Sequence, residues 1–143
     1  MTRAGDAQAN FSQGNNCSQA VLAAFAPEFG LERETALRLA AAFGGGMARA
    51  GETCGAVSGA LMVIGLRYGQ VTVEDRPAKE RTYEAGQAFM ARFRERHGTL
   101  KCRELLGYDL GTAEGHAAVK ERGLFKTLCS QLVFDAAEIV AEQ

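Results

Sequence analysis

The chain has 143 residues, of which 47% are hydrophobic and 23% are charged, and its formal net charge is -1. This length and composition predict one globular domain over residues 1–143 with a sizeable core. The near balance of acidic and basic side chains gives no electrostatic basis for binding nucleic acid or an anionic membrane.

No segment predicts export or membrane insertion. The first residues lack the apolar stretch of a signal peptide, and the apolar run in residues 54–66 is too short and too interrupted to span a bilayer. We therefore expect a cytoplasmic protein, in which static disulfides are a poor default explanation for the four cysteines.

Apolar periodicity and capping residues predict an all-α fold, a compact bundle of roughly six to seven helices. The predicted helical segments, in chain order, are 2–11, 17–25, 32–43, 54–68, 77–97, 102–106, 112–122 and 127–141. Val71, Thr72 and Val73 favour a strand but stand alone, so we expect a connector there. Segment 54–68 is apolar on almost every face, which predicts a buried central helix.

A glycine-rich loop leads into that central helix. Gly44, Gly45 and Gly46 can take backbone conformations that a Cβ forbids, and Thr53 is a good N-cap. Cys54 would then lie in the first helical turn. The helix dipole and the loop amides lower the pKa of a thiol there, whereas burial raises it. We expect the amides to outweigh burial at Cys54.

The other three cysteines also follow predicted helix starts. Cys17 comes after an asparagine cap, Cys102 after a glycine break, and Cys129 two residues after Thr127. Each is followed, three and four positions on, by apolar residues that share its helix face. The pattern therefore predicts that all four sulfurs point inward and share one pocket.

Three functions are compatible with such a pocket. Four cysteine sulfurs are the usual donor set of an iron–sulfur cluster or a structural zinc, although no CxxC spacing occurs. Alternatively, no metal binds and two cysteines form a reversible disulfide, with Cys54 and Cys102 as the redox pair. In the third hypothesis, the chain is a helical interaction module whose cysteines serve as small apolar side chains in the core.

Segment 77–97 carries an aromatic stripe at helical spacing. Tyr83, Phe89 and Phe93 lie on it with Gly86 and Met90. A small domain with a buried central helix would leave part of this stripe uncovered, so we expect a homodimer.

The residues of the loop and central helix resemble a known family. Residues 51–60, preceded by residues 44–47, are similar to the core of the C-GCAxxG-C-C family of redox-active proteins. Cys17, Cys102 and Cys129 match its remaining signature cysteines in order.

The resemblance implies an iron–sulfur cluster. A similar domain accompanies the haem segment of split-Soret cytochromes, where the cysteines are associated with such a cluster. This implies Cys17, Cys54, Cys102 and Cys129 as its ligands, and electron transfer with an unidentified redox partner protein. Haem is not implied, because the haem segment is absent. The match is not letter for letter, since Gly55 separates Cys54 from Ala56.

Overall fold

The computed structural model describes residues 2–143, which fold into eight α-helices and no strand. The helices are α1 (Arg3–Ser12), α2 (Cys17–Phe25), α3 (Arg33–Ala40), α4 (Gly55–Tyr68), α5 (Arg76–His97), α6 (Cys102–Leu106), α7 (Ala113–Glu121) and α8 (Ser130–Ala141). The prediction of an all-α fold is confirmed: each of the eight predicted segments corresponds to one helix, so the bundle has more helices than the expected six to seven. None of these helices is long and apolar enough to cross a membrane.

Polar side chains cap the starts of several helices. The side chain of Asn16 accepts a hydrogen bond from the amide of Gln19, and the Gln19 side chain accepts one from the amide of Asn16. Asp75 caps α5 through the amide of Ala78, and Thr112 caps α7 in the same way. These hydrogen bonds satisfy amides that a helix start leaves free.

The main core forms where α2 and α4 cross closely. A Cβ atom at position 59 would lie 2.7 Å from the carbonyl oxygen of Ser18, so only glycine allows this approach. The first half of α4 is buried there, together with residues of α1, α5 and α8. The second half is less enclosed, since Leu66 is 41% exposed. The prediction of a buried central helix therefore holds best near its start.

A second, smaller cluster of buried apolar residues joins α6, α7 and the region before α8. It contains Cys102 and Cys129, whereas Cys54 belongs to the main core. Cys17 and Phe11 pack against both clusters. The four cysteines therefore lie at the junction of the two clusters.

A buried carboxylate ties α5 to α8. One oxygen of Asp135 lies 2.9 Å from Nε2 of His97, and the other accepts a hydrogen bond from Gln131 at 2.9 Å. Arg96 lies 3.5 Å from the same carboxylate. His97 is therefore a partner of Asp135 in the core packing of these two helices.

The aromatic stripe of α5 is largely covered within the chain. Phe89 and Phe93 are fully buried, whereas Tyr83 is 57% exposed. Of the aromatic residues in the stripe that motivated the homodimer, only Tyr83 is exposed. The homodimer stays a prediction, which sedimentation equilibrium at micromolar concentration would test.

Replacing Phe89 with alanine should lower the free energy of unfolding by about 3–5 kcal/mol, because the ring is fully buried. Tyr83→Ala on the same helix is the matched control, and its cost should be about 1 kcal/mol or less. Urea unfolding followed by circular dichroism measures both. Equal losses in the two variants would contradict this packing.

Candidate functional site: a four-cysteine cavity

All four cysteines line a single cavity of about 400 Å³. Each is a free thiol in the structure, so no pair forms a disulfide. The remaining walls are the glycine loop, small residues of the surrounding turns, apolar side chains that include those of α6 and α8, and the polar residues Asn16, Arg49 and His116. The structure thus brings together all four residues that the sequence predicts for the site.

Cys17 is the first residue of α2, as predicted. The Asn16 cap fixes the start of the helix, and the Asn16 side chain also donates to the carbonyl oxygen of Ala41 at 2.9 Å. A Cβ atom at position 55 would lie 3.1 Å from the Cβ of Cys17. The glycine there lets the start of α4 lie directly against Cys17.

Cys54 and Cys102 are positioned by backbone pairing between two short segments. Thr53 and Lys101 form an antiparallel bridge. The amide of Cys54 donates to the carbonyl oxygen of Leu100 at 2.8 Å, and the amide of Cys102 donates to that of Glu52 at 2.6 Å. These bonds hold both cysteines against one wall of the cavity.

The predicted start of α4 is wrong by one residue. The helix begins at Gly55 and Cys54 itself is the N-cap residue, with no side-chain cap from Thr53. Thr53 is instead extended in the bridge with Lys101. A distant backbone partner, which the local sequence does not reveal, decides the conformation of Thr53.

The predicted position of Cys129 in a first helical turn is also wrong. Residues Phe125–Cys129 form a π-helical turn that runs directly into α8. The hydroxyl of Thr127 donates to the carbonyl oxygen of Gly123 instead of capping a helix. A π-turn widens the helix by one residue and is frequent at functional sites. Here it ends at Cys129, which is buried in the cavity wall.

The loop before α4 is a run of left-handed backbone. The φ angles are +65° at Gly45, +71° at Gly46, +68° at Met47, +51° at Ala48 and +66° at Arg49. Left-handed conformation costs about 1–2 kcal/mol per residue with a Cβ, so three successive non-glycine residues store strain. Strain of this kind clusters at functional sites, and this loop lines the cysteine cavity.

The glycines of this loop leave backbone donors available. The amides of Gly44, Gly45 and Gly46 have no hydrogen-bond partner within residues 2–143. Successive free amides in turns form concave sites that stabilise negative charge, including iron–sulfur centres. Gly46 also permits close packing, since a Cβ there would lie 2.7 Å from the Cβ of Cys102.

Burial is the main cause of the pKa shifts of two of the four thiols, Cys54 and Cys102. It raises the pKa of Cys54 to about 12, and the opposing amides of Ala56 and Val57 are too weak to compensate. The expectation that amides outweigh burial at Cys54 is therefore wrong. Burial likewise raises the pKa of Cys102 to about 11, with a smaller contribution from Cys129 and an opposing one from Arg103.

Cys17 and Cys129 act as a pair. A hydrogen bond from the Cys17 thiol stabilises a thiolate on Cys129 and lowers the pKa of Cys129, despite burial. The same interaction, followed by burial, raises the pKa of Cys17 well above its usual range. Of the two, Cys129 therefore loses its proton first and Cys17 retains one.

The four cysteines line a cavity, but they are not grouped around one metal-sized centre. No three cysteine, histidine or carboxylate side chains in the described part of the chain are grouped so as to hold one metal ion. A zinc ion needs four ligands at about 2.0–2.3 Å from one centre. The four sulfurs as they stand do not meet this requirement.

Two ionisable lining residues besides the cysteines were not predicted for this site. His116 and Arg49 both line the cysteine cavity. The His116 ring packs on Phe125 with centroids 5.6 Å apart. No local motif marks either residue, because α7 and the left-handed loop meet only in the folded chain.

The fold and site define an all-α protein with four cysteines around one cavity. Residues 15–143 match the model of the family described as "Putative redox-active protein (C_GCAxxG_C_C)". The chain belongs to this family of redox-active proteins, which confirms the resemblance found in the sequence. No curated protein and no solved structure gives a significant match.

Replacing Gly46 with alanine should damage the site and the fold together. The left-handed φ costs about 1–2 kcal/mol for any residue with a Cβ, and the new Cβ would also overlap Cys102 and the Glu52 amide, each at 2.7 Å. We expect an additional loss of about 1–3 kcal/mol from this overlap. Chemical unfolding measures the total.

Gly30→Ala is the matched control for Gly46→Ala. Its φ is +67°, but nothing lies within 4 Å of a Cβ there. Equal destabilisation of the two variants would show that the loop does not press against Cys102.

Proposed function

We propose that the four-cysteine cavity holds an iron–sulfur cluster that serves in electron transfer. The observation that carries the proposal is that Cys17, Cys54, Cys102 and Cys129, from four separate parts of the chain, line one cavity. Membership of a redox-active family supports it. The four sulfurs would be the ligands, and a cluster so bound would accept and release single electrons.

Backbone and side-chain groups around this cavity can stabilise negative charge. The free amides of Gly44, Gly45 and Gly46 are available as donors to sulfur. Arg103 favours the thiolate form of Cys102, and its guanidinium is held by a 2.8 Å hydrogen bond to the carbonyl oxygen of Ala50. Donors and charges of this kind tune the reduction potential of a sulfur-bound centre.

Apolar side chains limit access of water to the cavity. Leu105, Leu106 and Leu110 line one side, and Phe125 and Leu132 contribute elsewhere. Low solvent exposure shifts the reduction potential of a bound cluster, because charge is harder to stabilise without water. The electron donor or acceptor would be a separate redox partner protein. A cytoplasmic location, where thiols stay reduced, is part of this proposal.

The cluster proposal is tested by anaerobic reconstitution with ferrous iron and sulfide. The parent should gain iron, acid-labile sulfide and sulfur-to-iron charge-transfer absorption in the visible range. Cys54→Ser should lose most of the bound iron while keeping its helical circular-dichroism spectrum, because serine is a poor ligand of similar shape. The other three cysteine-to-serine variants should behave alike.

Ser130→Ala is the control for these variants. It follows Cys129 directly, and its hydroxyl makes no hydrogen bond within residues 2–143. This variant should bind iron like the parent. Iron binding that survives in Cys54→Ser would exclude Cys54 as a ligand, and parental binding in all four serine variants would refute the cluster.

A metal-free disulfide is the second candidate, and the contact between Cys17 and Cys129 favours it. The Cys129 thiolate would attack a disulfide of the partner protein and release one partner thiolate. The Cys17 thiolate would then attack the Cys129 sulfur in the mixed disulfide and release the second thiolate of the partner protein. Two electrons pass to the partner, whose two sulfurs leave as thiols, and Cys17 and Cys129 become a disulfide.

Mild oxidation of the metal-free protein should produce a disulfide between Cys17 and Cys129. Peptide mapping by mass spectrometry identifies the bond, and Cys54 and Cys102 should remain alkylatable after denaturation. The sequence favours Cys54 and Cys102 as the pair, so a bond between those two would reverse this assignment. Four unmodified thiols would remove the second candidate altogether.

A further inference from the structure

A second cavity adjoins the cysteine cavity. It has a volume of about 600 Å³, and its ionisable lining residues are Arg49, His116 and Lys120. No carboxylate lines it, and the remaining walls are small, apolar or glycine residues and one threonine. Arg49 and His116 line both cavities, so the two spaces are neighbours that share a wall.

We propose that this second cavity binds a small organic anion through its carboxylate or phosphate oxygens, next to the four cysteines. Arginine presents a planar fork that matches either group, and lysine adds a compact positive charge. Neutral histidine still offers one ring donor. The apolar parts of the wall, such as Leu110 and Ala117, suit the carbon skeleton of the ligand.

The basic side chains of this cavity lack partners within the protein. Arg49 and Lys120 make no ion pair and no side-chain hydrogen bond within residues 2–143. Both are exposed residues that line the cavity. Unpaired cations that converge on one concave surface attract a counter-charge, and here a bound anion would supply it.

Strained backbone holds Arg49 at this position. Its φ is +66°, in the left-handed region that disfavours residues with a Cβ. Its carbonyl oxygen lies against the next loop, since a Cβ at position 111 would be 3.2 Å from it. Strain that persists next to a cavity indicates a functional constraint on the loop. The loop thereby places Arg49 at the boundary of the two cavities.

His116 links the anion to the cysteines. Its ring packs on Phe125, the first residue of the π-turn that ends at Cys129. A ligand in contact with His116 therefore lies one side chain away from the cysteine cavity. That this ligand is a reactant of the redox site rests on the proposed function, whereas the binding of the anion does not.

The experiment is a titration of the full-length protein with two probes at low ionic strength. Succinate presents carboxylates and inorganic phosphate presents phosphate, and backbone amide NMR shifts report where each binds. We expect saturable shifts in residues 48–50 and 111–117 with at least one probe. Shifts with succinate alone assign a carboxylate ligand, and shifts with phosphate alone assign a phosphate ligand.

Two charge-removing variants test the assignment. Arg49→Met keeps the apolar stem that lies beside Gly45, and Lys120→Met does the same on α7. Each should weaken binding at least about tenfold, since charge-assisted hydrogen bonds of this kind contribute about 1.5–3 kcal/mol. Arg49→Lys should recover part of the affinity. Arg38→Met and Lys126→Met, at positions that are exposed like those of Arg49 and Lys120 but lie outside this cavity, should bind like the parent.

The inference is overturned if neither probe gives saturable shifts, or if Arg49→Met and Lys120→Met bind as tightly as the controls. Cys54→Ser separates this failure from failure of the proposed function. The second cavity contains no cysteine, so that variant should retain anion binding while it loses iron. Loss of anion binding in Cys54→Ser with intact helicity would contradict the separation of the two sites.

Discussion

The site depends on the backbone pairing between residues 51–54 and 100–103. This short antiparallel contact fixes Cys54 and Cys102 at one wall and anchors the end of the left-handed loop. The amide of Arg103 donates to the carbonyl oxygen of Gly51 at 3.1 Å, which extends the contact beyond the two cysteines. Once this wall is formed, the packing of α2 and α8 is sufficient to bring Cys17 and Cys129 to the same cavity. The glycines at positions 46 and 55 allow the backbone to come close enough.

The thiols enclosed by this arrangement are stabilised as neutral groups in three of four cases. Burial raises the pKa of Cys54 and of Cys102, and the contact with Cys129 raises that of Cys17. A buried thiolate is expensive unless a hydrogen bond or a bound cation compensates for its charge. Only Cys129 has such compensation from another cysteine. A cysteine in this cavity therefore becomes a thiolate readily only where its charge is compensated in this way.

Most of the helices, and the four cysteines of the site, could be predicted from local sequence patterns. The caps at Asn16, Asp75 and Thr112 act within three residues, so the sequence reveals them directly. The extended conformation of Thr53 depends on Lys101, which is distant in sequence. The π-turn before α8 and the left-handed residues from Met47 to Arg49 are likewise imposed by the folded surroundings. Gly123, with φ of +68°, was the local sign that the last helical stretch begins before Thr127.

The four cysteines lie where the two apolar clusters meet, and this position bears on the order in which the chain folds. The contact between α1 and α2 joins near neighbours in sequence, whereas the cavity joins elements from the beginning, middle and end of the chain. Distant contacts carry a larger loop-closure entropy, and they slow folding when they dominate. The cavity can be complete only after α8 has docked on α1 and α4. A newly synthesised chain would thus complete its four-cysteine cavity only after α8 has been made.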